Sequence, residues 1–265
     1  MQLNISHKTQ YNFHTPPVYG LQKLRLTPKS NSGQEVLSWN IDIQGGEVEA
    51  EYEDEFKNRV HLIRISDNIK QIKIESKGTL EMTDRNGVIG DHGGYAPLWL
   101  FLRKTPLTQP GPNVRALLKG FPNGSQDIGI FHELSKKIAK KVAYVTGVTD
   151  SFTTAEGAIN LGKGVCQDHA HIFITIAREA GYPARYVSGY LMMDDRIVQE
   201  ATHAWAEVWI EGLGWTGFDV SNQISPDARY VRIATGLDYT QAAPISGLTM
   251  GGSGESIDVS VQVQQ

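Results

Sequence analysis

The spacing of apolar residues changes period twice along this chain, from two to about 3.6 and back to two, and few architectures satisfy such a pattern. Through the first eighty residues apolar and polar side chains alternate: Leu3 and Ile5, Tyr11 and Phe13, Leu24 and Leu26, Trp39, Ile41 and Ile43, Val60 to Ile65, then Ile72, Ile74 and Leu80. This alternation, broken at Pro16-Pro17, Gly33 and Gly45-Gly46, predicts antiparallel strands joined by turns and an all-β unit over residues 1–83. Residues 84–126 change character. They are rich in Gly and Pro around an apolar island at 98–102, and they read as a connector that packs on the core with little regular structure.

Helical spacing starts near Asp127, where Phe131, Leu134, Ile138, Val142 and Val145 share one face and Lys136, Lys137, Lys140 and Lys141 the other. Thr153-x-x-Glu156 has the form of a capping box opening a short helix. The next helix is expected from about Cys166 to Ala180, stopped by Gly181 with Pro183 beyond. Period two then returns over 184–193, 203–211 and 215–220, with Gly212-Leu213-Gly214 as a tight turn. Residues 127–245 therefore form helices followed by a small antiparallel sheet. Residues 246–265 read as a flexible glycine segment and one last strand that could join either sheet. The fold class is α+β.

A chain of 265 residues with 40% hydrophobic composition can bury a real core. The opening stretch lacks a basic segment followed by an apolar run, and no segment approaches the roughly 18 apolar residues of a membrane span, so a cytoplasmic protein without membrane association is expected. Net charge is −4 and the basic residues are scattered, which argues against nucleic acid as a partner. The single cysteine, Cys166, rules out an intrachain disulfide and a multi-cysteine zinc site.

Cys166 stands where the Gly-rich stretch 161–165 meets a strong helix. The first turn of a helix carries unpaired N–H groups and partial positive charge, which stabilise a thiolate and can also bind the oxyanion of a tetrahedral intermediate. Free cysteine is also among the most buried side chains, so position alone does not decide its role. A base and an orienting carboxylate are needed as well, and they follow in order. His203 opens the strand after Thr202, and Asp219 ends the next one. A hairpin about Leu213 would bring both to the same end. His169 and His171, two apart on one helix, point some 200° apart and cannot share a metal, so no metal or cofactor is expected. Asp168 reads as a cap or first-turn charge. Trp99, Tyr190, Trp205 and Trp215 are aromatics expected near the cleft.

Four segments together, Gly164-Val165-Cys166-Gln167-Asp168-His169-Ala170, residues 180–190 with Pro183-Ala184-Arg185-Tyr186, residues 202–209 from Thr202-His203-Ala204-Trp205, and residues 214–219 ending at Asp219, resemble the transglutaminase-like superfamily in its bacterial form. The first strands, with Tyr11-x-Phe13 and Leu24-Arg25-Leu26-Thr27-Pro28, look like the β-rich N-terminal region of many bacterial members. The resemblance implies a papain-like core in which Cys166 is the nucleophile, His203 the base and later acid, and Asp219 the group that orients His203. It implies attack on an amide carbonyl, release of an amine, and a thioester taken up by water or a second amine. Peptidase or amidase hydrolysis of a peptide or protein substrate is expected over crosslinking, since no Asp-rich calcium loop is present. The alternatives are amine-dependent acyl transfer and a non-catalytic peptide-binding scaffold. His169 departs from the family, which commonly has phenylalanine or another apolar residue there.

Overall fold

A computed structural model describes residues 1–199 and 201–265, and the architecture is mixed α+β. The alternating first stretch forms two antiparallel sheets that face each other across Tyr11, Phe13, Leu24, Leu26, Ile63, Ile65, Ile72 and Ile74. One sheet runs in the order Val198–Gln199, Ser253–Gln264, Gln2–Thr15, Gln71–Met82, Gln34–Gln44, and the other Ile245–Met250, Tyr19–Thr27, Arg59–Ile65, Gly46–Glu53. The tail read as a flexible segment plus a strand thus supplies one strand to each sheet, with a turn at Gly251 and Gly252, both at positive φ, between them. Gly46–Glu53 is an acidic edge strand whose Glu47 and Glu49 pair with Arg64 at 3.0 and 2.7 Å. Its outward carboxylates hide the alternation of Val48, Ala50 and Tyr52 from a purely apolar count.

The connector carries more regular structure than its composition suggests: a short strand Val88–Gly90, single 3₁₀ turns at Leu98–Leu102 and Pro106–Thr108, and a helix Pro112–Leu118. Glu156 explains the last of these. Helix Ala155–Leu161 is capped by Thr154, one residue later than the capping-box reading, with its hydroxyl accepting from the Gly157 N–H at 3.0 Å. Glu156 is thereby free to accept from the Asn113 and Val114 N–H groups at 2.9 and 3.0 Å, capping the neighbouring helix across space. The helix Gly129–Lys141 ends before Val142, and Val145 lies beyond it.

The second unit is built on a sheet in the order Tyr230–Gly236, Ala184–Leu191, His203–Ile210, Gly214–Phe218, Val88–Gly90. Helix Cys166–Glu179 packs on this sheet, with 12 of its 14 residues buried. Burying Arg178 in that helix is tolerable because its guanidinium donates to the carbonyls of Phe101, Ala184 and Leu237 and to the Thr108 hydroxyl. The connector is thereby fixed to the helix. No helix among the described residues is long and apolar enough to cross a membrane.

The two units meet at the edge strand Tyr230–Gly236, whose free backbone groups would be costly to bury unpaired. Side-chain amides take the place of a neighbouring strand. Gln34 accepts from the Arg232 N–H at 2.8 Å and donates to its carbonyl at 3.0 Å. Asn58 does the same for Thr235, at 2.9 and 2.7 Å. His7, in the middle of an otherwise apolar strand face, is 2.9 Å from the Tyr190 hydroxyl, and burial holds its pKa down at about 4, so it joins the units as a neutral ring. Replacing Asn58 by Ala strands a buried donor and a buried acceptor at once. Asn58→Ala should therefore cost about 2–4 kcal/mol in urea unfolding, against well under 1 kcal/mol for an exposed Asn such as Asn40.

Candidate active site

Gly164 makes the local backbone around Cys166 possible. Strand pairs Ala143–Tyr144 and Lys163–Gly164 run parallel, and a Cβ on Gly164 would stand 2.7 Å from Asp168 Oδ2. With that space open, the Asp168 carboxylate folds back to accept from the Val165 N–H and the Thr149 hydroxyl, both at 2.8 Å. Asp168 therefore caps the helix without occupying the N–H of Cys166, the first helical residue, which has no intrahelical partner.

His203 and Asp219 arrive from adjoining strands of the same sheet. The hairpin pairs Ile210 with Gly214 and Ala206 with Phe218, so its centre falls at 212 rather than 213 and His203 has no direct ladder partner on that side. Asp219 reaches the ring because the strand turns there, with its N–H and carbonyl exchanged with those of Ile224 at 2.9 and 3.2 Å. His203 Nε2 donates to Asp219 Oδ2 at 2.7 Å. Cys166 lines the same cleft as His203, near enough for charge at the sulfur to act on the ring. Cys166 and His203 thus line one cleft, with Asp219 buried and bonded to the ring of His203.

Two residues that sequence reasoning missed hold the carboxylate. Asn222 Nδ2 and the Tyr230 hydroxyl both donate to Asp219 Oδ2 at 2.7 Å, and the Asn222 N–H donates to Oδ1 at 3.2 Å. Burial pushes the Asp219 pKa up, but these donors and His203 outweigh it and keep the group ionised. Asp219-x-x-Asn222 is a recognisable turn signal. Tyr230 has no local signal, because it comes from a strand three removed from Gly214–Phe218 in the sheet. For His203, burial opposes the charged form, yet the charge at Cys166 and the Asp219 hydrogen bond raise its pKa to about 10.

His169 is no metal ligand and no passive substitute for phenylalanine. Its Nε2 donates to the Val142 carbonyl and its Nδ1 accepts from the Ser221 hydroxyl, both at 2.9 Å, and burial lowers its pKa. It ties the helix to the loop that follows Asp219. The expected aromatics fall elsewhere, apart from Trp205, whose ring lies stacked 6.3 Å from His203. Trp99 is 65% exposed on the connector, Trp215 is buried against Phe101 and His92, and Tyr190 faces His7. Three tyrosines take their place. Tyr144, Tyr186 and Tyr239 line a cleft of about 650 Å³ together with Cys166, Gln167, Thr202 and His203. Its opposite wall includes Val198 and Gln199, whose backbone pairs with Gln262 and Val261 in the N-terminal sheet.

Comparison with known proteins gives a family match for each half of the fold. Residues 116–220 match the Transglutaminase-like superfamily and residues 3–81 the Bacterial transglutaminase-like N-terminal region. An uncharacterized protein of Mycobacterium leprae is 25% identical over 99% of this chain and 98% of its own length. A protein-glutamine gamma-glutamyltransferase of Pseudomonas aeruginosa is 32% identical, over 34% of this chain and 15% of its own length. A solved structure from Cytophaga hutchinsonii, provisionally named a cysteine protease, superposes over 100% of this chain and 98% of its own with a TM-score of 0.76 at 20% identity, which establishes a shared fold.

A base whose pKa is raised on folding stabilises the fold fully below its unfolded value, here 6.5, and loses that contribution as pH climbs through about 10. Cys166→Ala removes one charge that holds the proton on His203. NMR titration of His203 in that variant should give a midpoint below that of the native protein, and the alkaline loss of thermal stability should begin at lower pH. An unmoved midpoint would mean that the sulfur carries no charge beside the ring.

Proposed function

We propose that this chain, which belongs to the transglutaminase-like superfamily, is a cysteine-nucleophile enzyme that hydrolyses amide bonds of peptides or proteins through a thioester. The observation that carries the reading is the His203 ring, hydrogen-bonded to Asp219 and lining one open cleft with Cys166. An imidazolium beside a sulfur at a helix N-terminus favours the thiolate, the form that attacks.

In the proposed sequence Sγ of Cys166 bonds to the amide carbon while the carbonyl π pair moves to oxygen. The tetrahedral intermediate collapses, the C–N bond breaks, and the amine leaves with the proton of His203. Neutral His203 then takes a proton from water as the water oxygen bonds to the thioester carbon; this second intermediate collapses, the C–S bond breaks, the carboxylic acid leaves, and the thiolate–imidazolium pair is restored. Asp219 holds the ring in orientation and stabilises its charged form throughout. Val198 lines the cleft with its side chain exposed, which suits an extended peptide or a protein segment as acyl donor.

A second reading, in which an amine replaces water, has the name of the Pseudomonas aeruginosa relative behind it. Both readings share the acylation step. Iodoacetamide labelling of Cys166, followed by intact mass, should be fast well below pH 8 in the native protein, and in His203→Ala slow and steeply dependent on pH. Equal and slow labelling of both proteins would remove the enzyme reading and leave a peptide-binding scaffold. Incubation of a glutamine-containing peptide with and without a primary amine, read by mass spectrometry, then separates hydrolysis from transfer.

A further inference from the structure

The strand Val198–Gln199 pairs with Ser253–Gln264 at Gln262 and Val261, and the chain then leaves that sheet to begin the strand His203–Ile210 in the other unit. The divergence opens a gap. It holds a cavity of about 290 Å³, with Ala201 and Thr202 on one side, Ile257 and Val259 on the other, and Thr9 and Tyr11 of the first strand contributing the sheet face. Ala201, Thr202 and Tyr239 also line the cleft that contains Cys166, so the two spaces adjoin. Tyr239 borders both and is held in place, its N–H donating to His171 Nε2 at 3.2 Å and its ring centred 6.0 Å from that of Tyr186.

The chemistry of the lining narrows what can enter. Among the described residues no Asp, Glu, Lys or Arg lines the cavity, and its buried polar groups are already engaged. His7 is a neutral ring whose Nδ1 meets the Tyr190 hydroxyl at 2.9 Å and whose Nε2 meets the Thr9 hydroxyl at 3.1 Å. Burial raises the pKa of Tyr11 and Tyr239 above the ordinary tyrosine value, so both stay uncharged. Most of the remaining lining is apolar, with Pro244 and Ile245 joining Ile257 and Val259. Pockets for whole small molecules run to roughly 300–1,000 Å³, so this one has the size for a single group of a larger ligand. Along residues 253–259 no described strand pairs with the outer edge of Ser253–Gln264, which leaves backbone N–H and C=O groups open to an added strand.

We propose that this cavity is the specificity subsite of the enzyme, receiving an uncharged apolar side chain of a peptide acyl donor whose backbone adds to the free edge of Ser253–Gln264. This rests on the acyl-transfer reading above. The N-terminal unit then selects the substrate while the second unit carries the chemistry. A charged side chain entering here would lose its water with no countercharge to meet it, so Asp, Glu, Lys and Arg are rejected at that position of the peptide.

A pool of N-acetylated peptide amides of randomised sequence, incubated with the native protein and hydroxylamine, registers transfer to water and to an amine alike when read by mass spectrometry. Leu, Ile, Phe or Met should be enriched by roughly 10-fold or more over Gly at one fixed distance from the reacting amide, with charged residues depleted there. Val259→Lys, with folding checked by urea unfolding, should abolish that preference and admit Asp or Glu at the same position, a gain that loss of stability does not produce. Ile257→Trp, at a half-exposed position, should instead keep Ala and reject Phe. A native preference that survives both variants, or no positional preference at all, would overturn the proposal. Peptides left unreacted by a protein whose iodoacetamide labelling depends on His203 would overturn it too, while leaving the Cys–His pair standing. Labelling that does not depend on His203 would instead overturn the acyl-transfer reading, and this proposal with it.

Discussion

Helix Cys166–Glu179 begins at the chain's single cysteine and is buried along almost its whole length, and much of the structure follows from that single constraint. A buried helix cannot leave polar side chains to water, so Asp168, His169, His171, Thr175 and Arg178 each need a partner inside the protein. Those partners are what organise the surroundings. Asp168 pulls in Thr149, His169 reaches Val142 and Ser221, His171 accepts from the Tyr239 N–H at 3.2 Å, and Arg178 gathers the connector and the sheet. The sulfur is placed by a polar scaffold as much as by an apolar core.

The same economy appears in the sheet the helix rests on. Glu207 is wholly buried on the strand His203–Ile210, and its charge is met by Arg185 at 2.6 Å from the neighbouring strand and by Arg232 at 3.0 Å from the strand beyond that. The two cations and the carboxylate span three adjacent strands, Arg185 also lying 3.9 Å over the Trp215 ring. Removing one partner of such a network leaves uncompensated charge, which makes the register of these strands hard to shift. Register matters here because His203 opens the middle strand and Asp219 follows the next.

Much of this was legible in sequence where the signal is local. Cys166, His203 and Asp219 stand out because a Gly-rich stretch before a helix, a strand start and a strand end are each readable from neighbours in the chain. The two-period pattern gave the α+β class for the same reason. What stayed hidden depends on distant pairs. Tyr230 reaches Asp219 across the sheet, Glu156 caps a helix that starts 43 residues earlier from the Asn113 side, and Gln34 and Asn58 imitate a strand with nothing in their surroundings to mark them. Tyr144 was passed over because a two-residue parallel pair has no periodicity to detect. The aromatics expected at the cleft were Trp99, Tyr190, Trp205 and Trp215, whereas its lining uses Tyr144, Tyr186 and Tyr239, rings with a polar end.

The strand Ser253–Gln264 lies between Gln2–Thr15 and Val198–Gln199 in one sheet. A growing chain therefore possesses Cys166, His203 and Asp219 well before it possesses the strand on which one wall of their cleft is hung. Residues 253–264 must leave the ribosome and insert beside the first strand before that wall has an anchor, so the cleft is completed only after the last strand is made.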